Sequence, residues 1–282
     1  MMFMRKKTAD VSRAFQFAWE VPKSGYRVEN CYRLDSRMRR DGKAEPMLVE
    51  PTPSGISRMI KIRRPLKEST GLFLEFADMN LTPDAVVRFA NQHGTLGKPL
   101  TQMVAPSGHG AKFALHGVPI AAWFAEVSAI RQLVSLWDPL RKPEITFKTT
   151  PECIRAESAS VSENFVFRSA DPDTYEQLEN KATAIAQHYL RTKVNAKLLE
   201  YPSAARLVFD EIALCIVPTS LIAAIWLQFA RVVAGDHQYH ICKNCKRWFE
   251  VGGGVRREDA ETCSDSCRAA FAYRNKTKGK KR

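Results

Sequence analysis

A chain of 282 residues, 45% of them hydrophobic, is long enough to bury a real core and too short for much beyond one large domain and a small appendage. Its net charge of +13 is uneven: residues 238–282 carry twelve Lys/Arg against five Asp/Glu, over half of the excess in under a sixth of the chain, which points to a polyanionic partner, most often nucleic acid. Seven cysteines, an odd number, and an opening Met1-Met2-Phe3-Met4-Arg5-Lys6-Lys7 without an apolar stretch argue against a secreted disulfide scaffold and for a reducing, cytoplasmic setting.

The first 65 residues give few signals. Ala14–Val21 alternates in the manner of a strand, and Met47–Glu50 and Met59–Ile62 are short strand candidates between Pro and Gly breaks. Arg37, Arg39, Arg40 and Lys43 read as a basic loop, with Lys61, Arg63 and Arg64 as a second cluster; solvated loop charge explains both. Leu72, Phe73, Leu74, Phe76 and Ala77 fit a strand or a helix equally. Next comes a marked helix: Thr82 as cap, Pro83 in its first position, Asp84 at its positive end, and an inward stripe of Val86, Val87, Phe89 and Ala90. His93-Gly94 ends it.

Residues 94–117 read as loop, with glycines at 94, 97, 108, 110 and 117. Ser107-Gly108-His109-Gly110 has neither a following Gly-Lys-Ser/Thr nor a strand-then-helix frame, so it is a connection rather than a phosphate loop. From Pro119 to Leu136, Ile120, Trp123, Phe124, Val127, Ile130 and Val134 recur at helical spacing, with Trp137 beyond them; core packing accounts for the tryptophans. Glu144–Lys148, Cys153–Ala156 and Asn164–Arg168 read as strands, and a long helix begins at Pro172 and runs towards Leu198. Ala204–Val217 fits strand or helix. Pro218 opens the last core helix, whose apolar stretch Leu221–Ala234 is too short to span a bilayer and is interrupted by Gln228 and Arg231. Lys276–Arg282 is a low-complexity basic tail, expected to be disordered when unbound.

The most specific pattern lies between these last two segments. Cys242-Lys243-Asn244-Cys245 and Cys263-Ser264-Asp265-Ser266-Cys267 are separated by seventeen residues. A Cys-x-x-Cys knuckle aims two sulfurs at one point, and cysteines four apart share one side of a helical turn. Four such thiolates close the tetrahedral shell of a structural Zn²⁺. A thioredoxin-like pair lacks its βαβ frame, the spacing fits iron–sulfur runs poorly, and a catalytic zinc needs an open position. His237 and His240 are then bystanders. Ser264 or Thr262 can cap the helix carrying Cys267, Lys246–Val251 reads as a hairpin strand before the Gly252–Gly254 turn, and Phe271 is expected to pack on Trp248 or Phe249. So small a unit needs the metal as its staple.

Cys-x-x-Cys-x-Arg-Trp-Phe at 242–249, then Cys-Ser-Asp-Ser-Cys-Arg at 263–268 and Ala-Ala-Phe-Ala-Tyr-Arg at 269–274, resembles the treble-clef-like CGNR zinc finger of bacterial proteins. Upstream, Gly71–Ala77, Phe89–Gly97 and Pro218–Gln228 are similar to the α+β ABATE domain that precedes that finger. The resemblance is to the broader group, because Cys267-Arg268-Ala269-Ala270 stands where the Cys-Gly-Asn-Arg tetrapeptide would be. It implies a DNA-binding transcriptional regulator.

The sequence therefore predicts an α+β protein: a mixed domain over residues 1–236 able to sense a small ligand or protein partner, a Cys₄ zinc module over 237–275, and a basic tail over 276–282. Expected metal ligands are Cys242, Cys245, Cys263 and Cys267. Arg268 and Arg274 are the expected base or phosphate contacts, Lys243, Lys246 and Arg247 flank the knuckle, and Lys276 leads the phosphate-binding tail, with DNA favoured over RNA and no membrane partner. Tyr273 packs or stacks on a base. The alternative is a protein-interaction adaptor in which zinc only closes the fold. An enzyme is not expected, since no Ser/His/Asp set, carboxylate pair or phosphate loop stands out; it would need His93, His109 or His116 beside acids in a pocket.

Overall fold

The computed structural model describes residues 18–34, 40–50, 60–64, 71–97, 101–104, 115–140, 146–149, 153–157, 162–166, 182–208, 213–235, 238–252 and 256–279. Its elements begin with strands β1 (Trp19–Pro22), β2 (Arg27–Leu34), β3 (Arg40–Val49) and β4 (Ile60–Arg63), helices α1 (Leu72–Ala77) and α2 (Pro83–His93), strands β5 (Thr101–Val104) and β6 (Leu115–Pro119), and helix α3 (Ile120–Leu140). Strands β7 (Thr146–Thr149), β8 (Cys153–Glu157) and β9 (Ser162–Val166), helix α4 (Ala182–Glu200), strands β10 (Ser203–Val208) and β11 (Ala213–Pro218), and helix α5 (Leu221–Val233) follow. Strands β12 (Gln238–Ile241) and β13 (Trp248–Val251) and helix α6 (Asp265–Gly279) make a small C-terminal cysteine module on an α+β body.

Strands β2, β3, β6 and β5 close into a small barrel, β7–β8–β9 form an antiparallel sheet, and β1–β4 and β10–β11 are two-stranded pairs. Alternation along the barrel strands sorts two cores. Cys31, Met47 and Val49 form one small cluster, while Val28, Leu48 and Val118 turn to the helices. The stretch 94–117, expected to be loop, thus contains two strands. Thr101–Val104 and Leu115–Pro119 carry no local alternation of their own; they pair with each other and with β2 and β3, distant in sequence. Lys43 likewise sits in a strand rather than a basic loop. Ala204–Val217 resolves into the β10–β11 hairpin. The expected start of α4 at Pro172, the strand over 14–17 and the segment Ser107–Gly110 lie outside the described residues.

Local signals marked α2 well, while α5 begins at Leu221 rather than at Pro218, which ends β11. Thr82 Oγ1 accepts from the Ala85 N–H at 3.3 Å, and Gly94 takes φ +100° at the far end, where a Cβ would meet Trp19 at 2.2 Å. Ser220 caps α5, accepting from Ala223 N–H at 3.1 Å. Nine of the thirteen residues of α5 are buried, as expected of a central helix rather than a membrane span. No described helix is long and apolar enough to cross a membrane.

Helix α1 is the hub of the packing. Its Phe73 ring lies 6.3 Å from Trp137 of α3, 5.4 Å from Phe229 of α5 and 5.4 Å from Tyr239 of β12. Five of its six residues are buried, so no single stripe marked it as helix in the sequence. Neighbours satisfy its ends. Gln228 Oε1 accepts from Phe73 N–H at 3.0 Å, and the Arg131 guanidinium donates to Ala77 O at 2.8 Å and Met79 O at 2.6 Å.

The buried acid of the body is fully engaged. Glu126 accepts from Tyr201 OH at 2.6 Å, Trp226 Nε1 at 3.3 Å and Lys197 Nζ at 3.2 Å. Burial works against charge on Lys197, but hydrogen bonds to Glu200 and Glu126 outweigh it and raise its pKa. Glu126→Gln keeps the shape and turns an amide donor towards these donors. It is expected to cost about 2 kcal/mol in urea unfolding, the cost of buried donors left unmatched. A change below about 0.5 kcal/mol would show that the acid carries no structural role. His93, buried beside Glu75 at 3.2 Å with its ring tilted against Phe89 at 4.6 Å, is a core histidine of α2.

Candidate metal centre

Strands β12 and β13 pair with Tyr239 opposite Glu250, His240 opposite Phe249 and Ile241 opposite Trp248. Alternation gives this hairpin two working faces. On one, Tyr239 and Trp248 join the body's core; Trp248 Nε1 donates to Asp78 Oδ2 at 3.1 Å, and Trp248 Cβ lies 2.3 Å from where a Cβ on Gly71 would be. On the other, Phe249 and Val251 pack with buried Cys242, flanked by Cys245, Ala260, Cys263 and Cys267. Phe249, not Trp248, is therefore the aromatic of the miniature core, and Phe271, half-buried, does not join that cluster. The hairpin is a wall shared between two cores.

The four sulfurs of Cys242, Cys245, Cys263 and Cys267 all lie within 4.8 Å of one another, with Cys245–Cys263 and Cys263–Cys267 at 3.5 Å, and none is in a disulfide. Thiolates bound tetrahedrally at about 2.3 Å sit about 3.8 Å apart, so this spacing fits a bound ion. The knuckle is closed by backbone bonds: Lys246 N–H to Cys242 O at 3.0 Å and Cys242 N–H to Arg247 O at 2.9 Å. That turn needs a left-handed residue, and Lys246 supplies it at φ 62°, a conformation that costs a side-chain-bearing residue about 1 kcal/mol and that the closed turn maintains. Of the second pair, Cys267 lies in the first turn of α6, while Cys263 precedes the helix, which begins at Asp265. Ser264 Oγ, not Thr262, accepts from Cys267 N–H at 3.1 Å, and Asp265 occupies the first turn.

Electrostatics agree with a cation-binding role. Burial pushes the Cys242 thiol up, but hydrogen bonds from the Cys245, Cys263 and Asn244 backbone outweigh it and bring it down to about 6. The Cys263 N–H to Cys242 Sγ bond, at 3.4 Å, is one of these. Ser264 and Asn244 lower Cys267. Cys263 is pushed up to about 12, by burial first and then by the sulfurs around it. Four crowded thiols resist ionising together, and a divalent cation at their centre reverses that balance. His240 turns away, with Nδ1 3.2 Å from Ala260 O; His237 lies outside the described residues.

The cations surrounding this centre fall into two groups. Lys246 and Arg247 stand exposed on the knuckle, and Arg268 is exposed on α6 with only an i,i+3 contact to Asp265 at 3.3 Å. Lys243 and Arg274 are exposed as well, but Lys243 pairs with Glu261 and Arg274 donates to Asn244. The Lys276 side chain lies outside the described set. The sequence offered no sign of the roles of Asn244, Gly71 and Asp78; for Trp248, the alternation of Trp248-Phe249-Glu250-Val251 was a usable clue to opposite facing. Comparison with protein-family models, with curated proteins and with solved structures finds no match.

Proposed function

We propose that this chain is a zinc-dependent nucleic-acid-binding protein, a cytoplasmic DNA-binding transcriptional regulator of the bacterial CGNR-type group. Its body, ABATE-like in this reading, senses a small ligand or protein partner. The observation that carries it is the convergence of four free cysteines at the start of a helix in the most basic part of the chain. A closed, all-thiolate shell favours Zn²⁺ in a structural role. Lys246, Arg247 and Arg268 supply exposed positive charge for phosphates, a term that confers affinity without sequence choice.

The test is retardation of DNA and RNA at rising salt, with Cys242→Ser and Cys263→Ser beside the parent. Affinity is expected to fall steeply with salt, DNA to be held more tightly than RNA, and both serine variants to lose binding. Replacing Lys246 and Arg247 together by Ala should reduce the salt slope by about 2. Binding unchanged in the serine variants would rule out the module as reader. The docking of Trp248 and Tyr239 into the body favours a second reading, an adaptor whose metal only closes the fold. It predicts no retardation of either nucleic acid near physiological salt.

A further inference from the structure

The two cysteine pairs are clamped to each other by bonds that involve no metal. Lys243 N–H donates to Glu261 O at 2.9 Å, the two side chains pair as well, and Cys263 N–H reaches Cys242 Sγ at 3.4 Å. The knuckle and the segment before α6 therefore run side by side, which sets Cys245 Sγ 3.5 Å from Cys263 Sγ. Cys267 Sγ is also 3.5 Å from Cys263, but it rides on α6, whose first turn the Ser264 cap fixes. Cys242 is wholly buried with Phe249 and Val251, whereas the other three cysteines are half-buried.

We infer that this centre is a redox switch, in which a hydroperoxide joins Cys245 to Cys263 and the ion is released. It rests on the metal and nucleic-acid readings above and adds a regulation to them. One half-buried thiol attacks the peroxide, breaking O–O and leaving a sulfenic acid and one water. The second thiol displaces the hydroxyl from that sulfur; S–S forms, and the hydroxyl leaves with the thiol proton as a second water. Two thiols are oxidised and one peroxide is reduced. Cys242 is out of the oxidant's reach, and a Cys263–Cys267 bond would have to draw two sulfurs together across the capped turn. Cys245 and Cys263 are held ready by the clamp between their segments.

The consequence differs from simple metal loss. Cys242 and Cys267 alone fall short of a four-ligand shell. The new bond closes the loop of seventeen residues between the pairs, a closure that restricts the unfolded chain and takes over the metal's role as staple. Cys242 stays in the miniature core as a small apolar group, and Tyr239 and Trp248 keep their places in the body. Cys267 is let go. Helix α6 loses its sulfur anchor, and exposed Arg268 loses its fixed bearing relative to Lys246 and Arg247. Oxidation disarms the basic helix without undocking the hairpin.

The experiment treats the zinc-loaded full chain with hydrogen peroxide. A chromophoric chelator follows the ion, peptide mass mapping the bond, and calorimetry the body. Zinc should leave in step with the Cys245–Cys263 bond, and Cys242 should react with an alkylating reagent only after denaturation. The melting temperature should fall by less than about half of the drop that chelation causes. DNA retardation should weaken by about tenfold or more, and dithiothreitol with zinc should restore it. Cys245→Ser should form no bond between the segments and should melt, once oxidised, as the chelated parent does. A bond from Cys263 to Cys267, a bond to Cys242, sulfinic acid in place of a disulfide, or a bridged chain that melts like the chelated one overturns the switch. A reduced parent that retards no nucleic acid overturns the functional reading, while the mapped bond and the released ion still uphold the switch. A parent that takes up no zinc overturns the metal reading and the switch together.

Discussion

With the proposed metal bound at the four cysteines, its removal is expected to unfold the C-terminal module and to lower the melting temperature of the body by about 6–12 °C. The module's own core is three buried residues, Cys242, Phe249 and Val251, too few to hold residues 238–279 together. A structural thiolate site contributes on the order of 10 kcal/mol or more of binding free energy, which here is folding free energy. Losing it releases the β12–β13 hairpin, and with it Tyr239 and Trp248 from the body. Re-exposing two large aromatics costs about 3–6 kcal/mol, and the lower figure, in a body of this size, gives the stated temperature range. Helix α1 should register the change most, since Phe73 loses its edge-on contact with Tyr239 and Asp78 its bond from Trp248. Calorimetry with and without chelator, and hydrogen exchange at the amides of α1, measure both effects. Equal protection of α1 and an unchanged melting temperature in the metal-free protein would show that the hairpin is not a shared wall.

Gly71→Ala is expected to cost about 3 kcal/mol and to loosen the module from the body without disturbing the sulfurs. The backbone there has φ −105°, which any residue adopts, so the demand for glycine is one of space. A Cβ would fall 2.3 Å from Trp248 Cβ and 3.4 Å from its Cα. Neither atom is the tip of a flexible side chain, so relief requires moving β13 or α1, and overpacking of this kind is destabilising by a few kcal/mol. The pairing makes a further demand. Trp248→Ala keeps the offending Cβ and should leave the clash in place, whereas Trp248→Gly removes it, so the glycine change alone should lessen the added penalty of Gly71→Ala. Urea unfolding of the single and double variants supplies the cycle, and cobalt absorption reports the sulfur site separately. Equal added penalties in the two tryptophan backgrounds would rule out the proposed contact.

The sequence by itself determined what depends on neighbours along the chain. Thr82 and Pro83 marked the start of α2, Ser220 stands at the head of α5, the three-and-four recurrence from Ile120 marked α3, and the cysteine spacing marked a four-sulfur site. Caps, periodicity and ligand spacing are local physics, legible without a fold. Tertiary structure decided the rest. Leu72–Ala77 became a helix because α3, α5 and the module surround it and satisfy its ends, a burial so complete that it erased the stripe which would have announced it. Thr101–Val104 and Leu115–Pro119 became strands by pairing with each other and with β2 and β3 across long separations. The same holds at the metal centre. Composition placed Arg274 among the cations, but only the fold could set its guanidinium against Asn244, because which charges meet a partner depends on where two distant segments come together.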